Sequence, residues 1–140
     1  MDTNYKGGCL CGAVRYEVSA EPMMAGICYC LSCQKLSGSG HQFSVAVPES
    51  AFRTTGETRG YECKADSGSV VTNSFCTVCG SPLFGQSSGM PGMRTVRVAS
   101  LDDPSRFAPQ MSVYTKRVQQ WDHLNPALPK FQEMPPMPPR

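Results

Sequence analysis

From residue 13 the chain reads Ala-Val-Arg-Tyr-Glu-Val, an alternating stretch. An extended strand places Val14, Tyr16 and Val18 on one face and Ala13, Arg15 and Glu17 on the other, the pattern of a half-buried strand. Comparable short runs at 41–47, 58–62, 69–75 and 94–99 predict further strands. Glycine and proline separate them, at Gly38, Gly40, Pro48, Gly56, Gly60, Gly68, Gly89, Pro91 and Gly92. No window sustains an apolar period of 3.6 residues. One short helix fits 31–37, and a turn fits 126–130. Many short strands with regular turns predict a mainly β fold, either a sandwich or an irregular barrel-like sheet. The stretch 86–94 reads as a mobile loop. From 126 to 140 the chain carries six prolines and little periodicity. The expected organisation is one β domain over 1–125 and a proline-rich tail over 126–140, lying on the domain or partly disordered.

Length and charge narrow the function classes. At 140 residues the chain has the size of one domain with a real core. A net charge of +2 is too weak to point to nucleic acid or a membrane surface. No apolar run is long enough to span a bilayer, and the first residues, Met1-Asp2-Thr3-Asn4-Tyr5-Lys6, lack the apolar core of an export signal. The expected compartment is therefore the cytoplasm. There, the eight cysteines point to metal or catalysis rather than to disulfides.

The cysteines fall into Cys9-Leu-Cys11, Cys28-Tyr-Cys30-Leu-Ser-Cys33 and Cys76-Thr-Val-Cys79, with Cys63 apart. In a strand, i and i+2 share a face roughly 6.6 Å apart. Two thiolates on one zinc lie about 3.8 Å apart, so modest convergence closes the Cys-x-Cys bite. Cys76-x-x-Cys79-Gly80 is a knuckle in which the glycine can take the positive φ of such turns. A closed structural zinc needs four protein ligands, and a catalytic zinc needs three with one position open. The natural partition joins Cys9, Cys11, Cys76 and Cys79 in a closed site, whose binding energy is folding energy. Cys28, Cys30 and Cys33 then form a second site. It is either open to an exchangeable ligand or closed by Cys63, His41 or His123.

These cysteine motifs resemble the glutathione-dependent formaldehyde-activating enzyme family, which includes centromere protein V. The matching pieces are 7–16 (Gly-Gly-Cys-Leu-Cys-Gly-Ala-Val-Arg-Tyr), 28–35 with Ser37-Gly38, and 75–84 around Cys76 and Cys79. Asp103-Pro104 and Pro129-Lys130-Phe131 fit the same layout, so the likeness spans roughly 5–133. The resemblance implies a β-tent of short antiparallel sheets with two Zn²⁺ per chain. It assigns a structural zinc to Cys9, Cys11, Cys76 and Cys79 and a catalytic zinc to Cys28, Cys30 and Cys33. It implies a carbon–sulfur lyase acting on a thiol–aldehyde adduct of the S-hydroxymethylglutathione kind, with glutathione and formaldehyde as partners. Family members often carry histidine between the paired cysteines, where this chain has Leu10 and Tyr29. That difference bears on substrate choice and not on the ligands.

The chemistry of the second site agrees with thiol handling. Zinc with three thiolates carries a formal charge of −1, which weakens its power to acidify water, and a soft site suits exchange of a thiol. Lys35 follows the cluster and is a candidate for offsetting its charge or binding a substrate carboxylate. Arg15, Arg53 and Arg59 are candidates for glutathione carboxylates, His41 for acid–base work, and His123, beside Trp121, for lining a pocket. Each has a plain alternative as a solvated or packed side chain, and Cys63 reads as a free thiol. Competing readings are a related zinc lyase or hydrolase with another small carbonyl substrate, and a zinc module that binds a partner. Exposed strand edges in a small β protein point to a homodimer.

Overall fold

The computed structural model describes residues 4–135; the first three residues, and the part of the expected tail over 136–140, lie outside them. The fold is mainly β, as expected. A three-stranded antiparallel sheet has the order β1 (Tyr5–Gly8), β2 (Arg15–Val18), β5 (Phe52–Thr55). The second sheet has seven strands. Its order is β10 (Met111–Val113), β3 (Met24–Cys28), β4 (Gln42–Pro48), β9 (Met93–Arg97), β8 (Pro82–Ser87), β7 (Val70–Cys76), β6 (Thr58–Lys64). The α-helix seen among the described residues, α1 (Leu31–Ser37), follows β3. Its bounds are those the sequence predicts. Cys30 caps its start, and Gly38, at φ 72°, closes its end by donating to the Gln34 carbonyl.

Strand pairing explains why the seven-stranded sheet has two chemically different faces. Ala25 pairs with Val45, Val45 with Val96, and Val96 with Phe84, giving one apolar row across four strands. This row packs on Tyr16, Val18 and Phe52 of the smaller sheet, with the Phe52 and Phe84 rings 4.8 Å apart. Val45, Val47 and Val96 are fully buried. Each such side chain contributes about 1.5–3 kcal/mol relative to exposure. One residue along each strand, the side chains reverse face. There the rows read Gly26, Ser44, Arg97 and Thr95, Gly85, Asn73. That second face is the floor of a cleft.

Two expectations change, and one open alternative is decided. The sheets are not wholly antiparallel, because β10 runs parallel to β3, with Val113 opposite Cys28. A parallel pair needs a long crossover, and most of the domain lies between these strands in sequence. The stretch 86–94 is no long loop: β8 runs to Ser87, β9 starts at Met93, and the turn between is closed by Met90 N–H donating to the Ser87 carbonyl at 3.0 Å. The residues after 126 include a paired segment. Ser112 N–H donates to the Pro129 carbonyl and Phe131 N–H to the Ser112 carbonyl, each at 2.9 Å, so this part of the chain lies on β10. Among the described residues no helix is long and apolar enough to cross a membrane.

Candidate metal centres

The first cysteine set is built by two turns at the ends of strands. Cys9 and Cys11 sit in the β1–β2 turn, where Cys9 N–H donates to the Val14 carbonyl and Gly12 takes φ 82°. Cys76 ends β7, and the following turn closes through Gly80 N–H to the Cys76 carbonyl at 2.9 Å. Gly80 takes φ 76°, the role the knuckle spacing predicts for it. All four sulfurs lie within 4.8 Å of one another. Cys9 and Cys11 are 3.6 Å apart and Cys11 and Cys76 3.8 Å, close to the ~3.8 Å that tetrahedral zinc–thiolate bonding requires. Backbone donors aim at the sulfurs: Val14 N–H at Cys9, and Val78 and Cys79 N–H at Cys76. Burial pushes the Cys9 thiol up, but the Val14 N–H and the neighbouring thiols outweigh it and leave Cys9 low. The Ser81 hydroxyl, first among several donors, holds Cys79 down at about 5. Such a donor set fits a closed zinc site.

The second set is assembled by the β3-to-α1 junction. Cys28 ends β3, Cys30 caps α1, and Cys33 lies in the first helical turn. Cys33 N–H points at the Cys30 sulfur at 3.4 Å. Gln34 fixes the junction by donating to the Tyr29 carbonyl at 2.7 Å and to the Arg117 carbonyl at 2.9 Å. The three sulfurs lie within 4.8 Å of one another, and among the described residues no histidine, carboxylate or further cysteine joins them. Hydrogen bonds from Cys28 and Cys33 hold the Cys30 thiol down at about 3. The same bond to Cys30, followed by that to Cys33 and by burial, drives Cys28 far up. The Cys28 bond lowers Cys33, but Cys30 and burial raise it to about 12. One thiolate forms readily, and further ionisation against it demands a cation. The set therefore fits a metal ion, with three protein ligands.

These cysteines open into a cleft of about 330 Å³, within the range of small-molecule sites. Across it stands Arg97, which the sequence reading did not single out. It is buried in the second sheet face, donates to Ser44 Oγ at 2.9 Å and to the Asn73 side chain, and has no carboxylate partner among the described residues. Burial pulls its guanidinium below the ordinary value, and the charges of Cys33, Cys28 and Cys30 oppose that. Arg97 is thus a buried cation lining the same cleft as the three-cysteine set. Gly85 makes room for it: a Cβ there would lie 3.3 Å from Arg97 Nη2 and 2.8 Å from the Thr72 carbonyl oxygen. Arg97 alternates with Val96 in β9, so the sequence alone reads it as a solvent-facing residue.

The model of the family described as glutathione-dependent formaldehyde-activating enzyme matches residues 4–117. The chain belongs to that family. A crystal structure of a Rhodobacter sphaeroides protein shares its fold, at 21% identity and a TM-score of 0.58, over 90% of this chain and 98% of that one. No curated protein matches it.

The other residues that the sequence singles out in this glutathione-dependent formaldehyde-activating enzyme family member lie as follows. Lys35 is exposed on α1 and does not line the cleft. Arg15 pairs with Asp102 on the surface at 2.9 and 2.5 Å, and Arg53 and Arg59 are exposed on β5 and β6. His41 Nδ1 lies 2.7 Å from Asp122 Oδ2, with its ring 5.2 Å from that of Tyr29; His123 is exposed, and its carbonyl accepts from the Tyr29 hydroxyl. Neither histidine joins a cysteine set. Cys63 is half-buried on β6 and lines the cleft. Tyr114, Phe131 and Met134 come in from the C-terminal part of the chain. Phe131 packs on the cluster of Cys30, Val113 and Tyr114, and Tyr114 and Met134 line the cleft.

Proposed function

We propose that the chain is a zinc-dependent carbon–sulfur lyase of the cytoplasm that makes or breaks a thiol–aldehyde adduct. Family membership supplies glutathione and formaldehyde as the first pair to test. The observation that carries this reading is the triad of Cys28, Cys30 and Cys33, three sulfurs within 4.8 Å at the edge of a cleft. Cys9, Cys11, Cys76 and Cys79 would hold a structural zinc, and Cys28, Cys30 and Cys33 a second one. When bound, the second ion supplies a soft Lewis acid with room for an exchangeable ligand.

The chain's own groups do the rest. In addition, the thiol sulfur bonds to the aldehyde carbon and the thiol proton ends on the aldehyde oxygen; cleavage is the reverse. Arg97 offsets the charge of the triad, so that a sulfur can approach without facing an uncompensated anion. The walls of the cleft limit water around the reacting atoms, which strengthens every electrostatic contact there. The junction held by Gln34 fixes the three sulfurs before substrate arrives.

The test is zinc content, together with X-ray absorption at the zinc edge while a thiol is added. The expected result is about two zincs per chain and a new zinc–sulfur contact that Cys30→Ala abolishes. Two zincs with no spectral response to any thiol would overturn the reading.

A further inference from the structure

The lining of the cleft says which thiol the site takes. Met24, Met90, Met111, Met134, Val71 and Val113 form its apolar walls, beside five serines, Thr95, Asn73 and Tyr114. Among the described residues that line it, Arg97 is the one charged side chain, and no lysine, histidine or carboxylate accompanies it. Arg97 is already committed. Its Nη1 and Nη2 donate to the Ser44 and Asn73 side chains, and it shares the cleft with the cysteine triad. Zinc with three thiolates is formally −1, and Arg97 brings the whole to zero. The site therefore has no spare cation.

Glutathione carries two carboxylates, an ammonium group and two peptide bonds. Seated in this cleft, its two carboxylates would lose water and meet neutral hydroxyl and amide groups but no counter-charge beyond Arg97, and buried charge without a counter-charge is strongly disfavoured. A thiol with an apolar body loses nothing polar, and flexible polarisable methionines fit such bodies of varied shape. The turn at 88–92 brings Met90, and the segment after 129 brings Met134, so two methionine walls come from connecting segments.

From this lining we infer that the substrate is the aldehyde adduct of a thiol with an uncharged, apolar body, and not a glutathione adduct. The inference rests on the carbon–sulfur reading above and narrows it. The step is the balanced one already given: the C–S bond breaks, the hydroxyl proton returns to sulfur, and thiol and aldehyde leave.

The experiment uses full-length protein with zinc restored and its methionine methyl groups labelled with ¹³C. Butane-1-thiol and glutathione are each titrated with and without formaldehyde. Methyl shifts report binding in the cleft, and exchange spectroscopy on the adduct reports turnover. The expected result is saturable movement of the four cleft methionines with butane-1-thiol, at least tenfold weaker or absent with glutathione, and adduct exchange faster by the same order. Met90→Lys, a change at a half-buried residue of the turn at 88–92, should weaken the response to butane-1-thiol and raise that to glutathione. Glutathione moving the same methyls at equal or lower concentration, or neither thiol moving them, overturns the inference. Cleft binding of butane-1-thiol without adduct exchange would uphold the apolar preference and refute the lyase reading, so the two fail separately.

Discussion

Replacing Cys76 by Ser tests how the first cysteine set holds the domain together. Cys76 is fully buried at the end of β7, and its sulfur lies 3.8 Å from that of Cys11, a residue 65 positions away in sequence. A metal bridging these positions closes a loop of that length in the unfolded chain. The chain-entropy expression for a cross-link then puts the stabilisation at about 4 kcal/mol. The triad spans only the segment from Cys28 to Cys33, for which the same expression yields about 2 kcal/mol. Cys76→Ser should therefore lose one zinc and about 4 kcal/mol, a fall in Tm of roughly 10–20 °C for a chain of this size. Cys30→Ser should lose the other zinc and about half that stability, since serine keeps the helix cap. Chemical denaturation with parallel zinc counts separates them, and chelated wild type should be no more stable than Cys76→Ser. If Cys30→Ser costs as much as Cys76→Ser, or if Cys76→Ser keeps its Tm, the cross-link argument is wrong.

Further outcomes follow from single side chains. Arg97→Met leaves the triad's charge uncompensated and should weaken its zinc roughly 10–100-fold, read by competition with a chelator, while the first zinc stays bound. Gly85→Ala forces Arg97 or β7 to shift, because the new methyl would sit 2.8 Å from a carbonyl oxygen; a cost of about 1–3 kcal/mol and a weaker second site are expected in the same two assays. Lys35→Ala should leave zinc content and adduct exchange unchanged, since the side chain is exposed and outside the cleft. Asp102 is held below the ordinary carboxylate range by the Arg15 guanidinium. Its contribution is thus present above the unfolded carboxyl value and lost as pH falls through the lower folded one. The pair is exposed, so Asp102→Asn should cost no more than ~0.2–1 kcal/mol, and a pH series of denaturation midpoints would show the difference vanishing in acid.

Much of this site was legible in the chain because its chemistry is local. Cys9-x-Cys11 and Cys76-x-x-Cys79 each fold into one turn, so spacing alone pairs their sulfurs, and Gly80 declares the knuckle by needing positive φ. Cys28, Cys30 and Cys33 span one strand-to-helix junction, and the cap and stop of α1 sit at the positions their residue types prefer. Counting ligands then separated a four-sulfur set from a three-sulfur set, and both recur in space. The alternating runs marked five of the strands. They missed β1, β3, β5, β8 and β10, which are short and carry glycine, cysteine or polar residues that break the alternation.

Only the tertiary structure decided which face of each strand meets what. Thr95 and Arg97 share a period with a solvent-facing strand, and nothing local tells a solvated arginine from one lying over Gly85 between Asn73 and Ser44. The cleft draws on β3, β6, β7, β9, β10, the turn at 88–92 and the segment after 129, so its apolar lining exists only once long-range pairing is complete. Side-chain type and spacing determine which atoms can bind a metal, since chelation is a matter of a few residues. Which surface faces the cysteine triad depends on strand order across the sheet, a property of the whole chain.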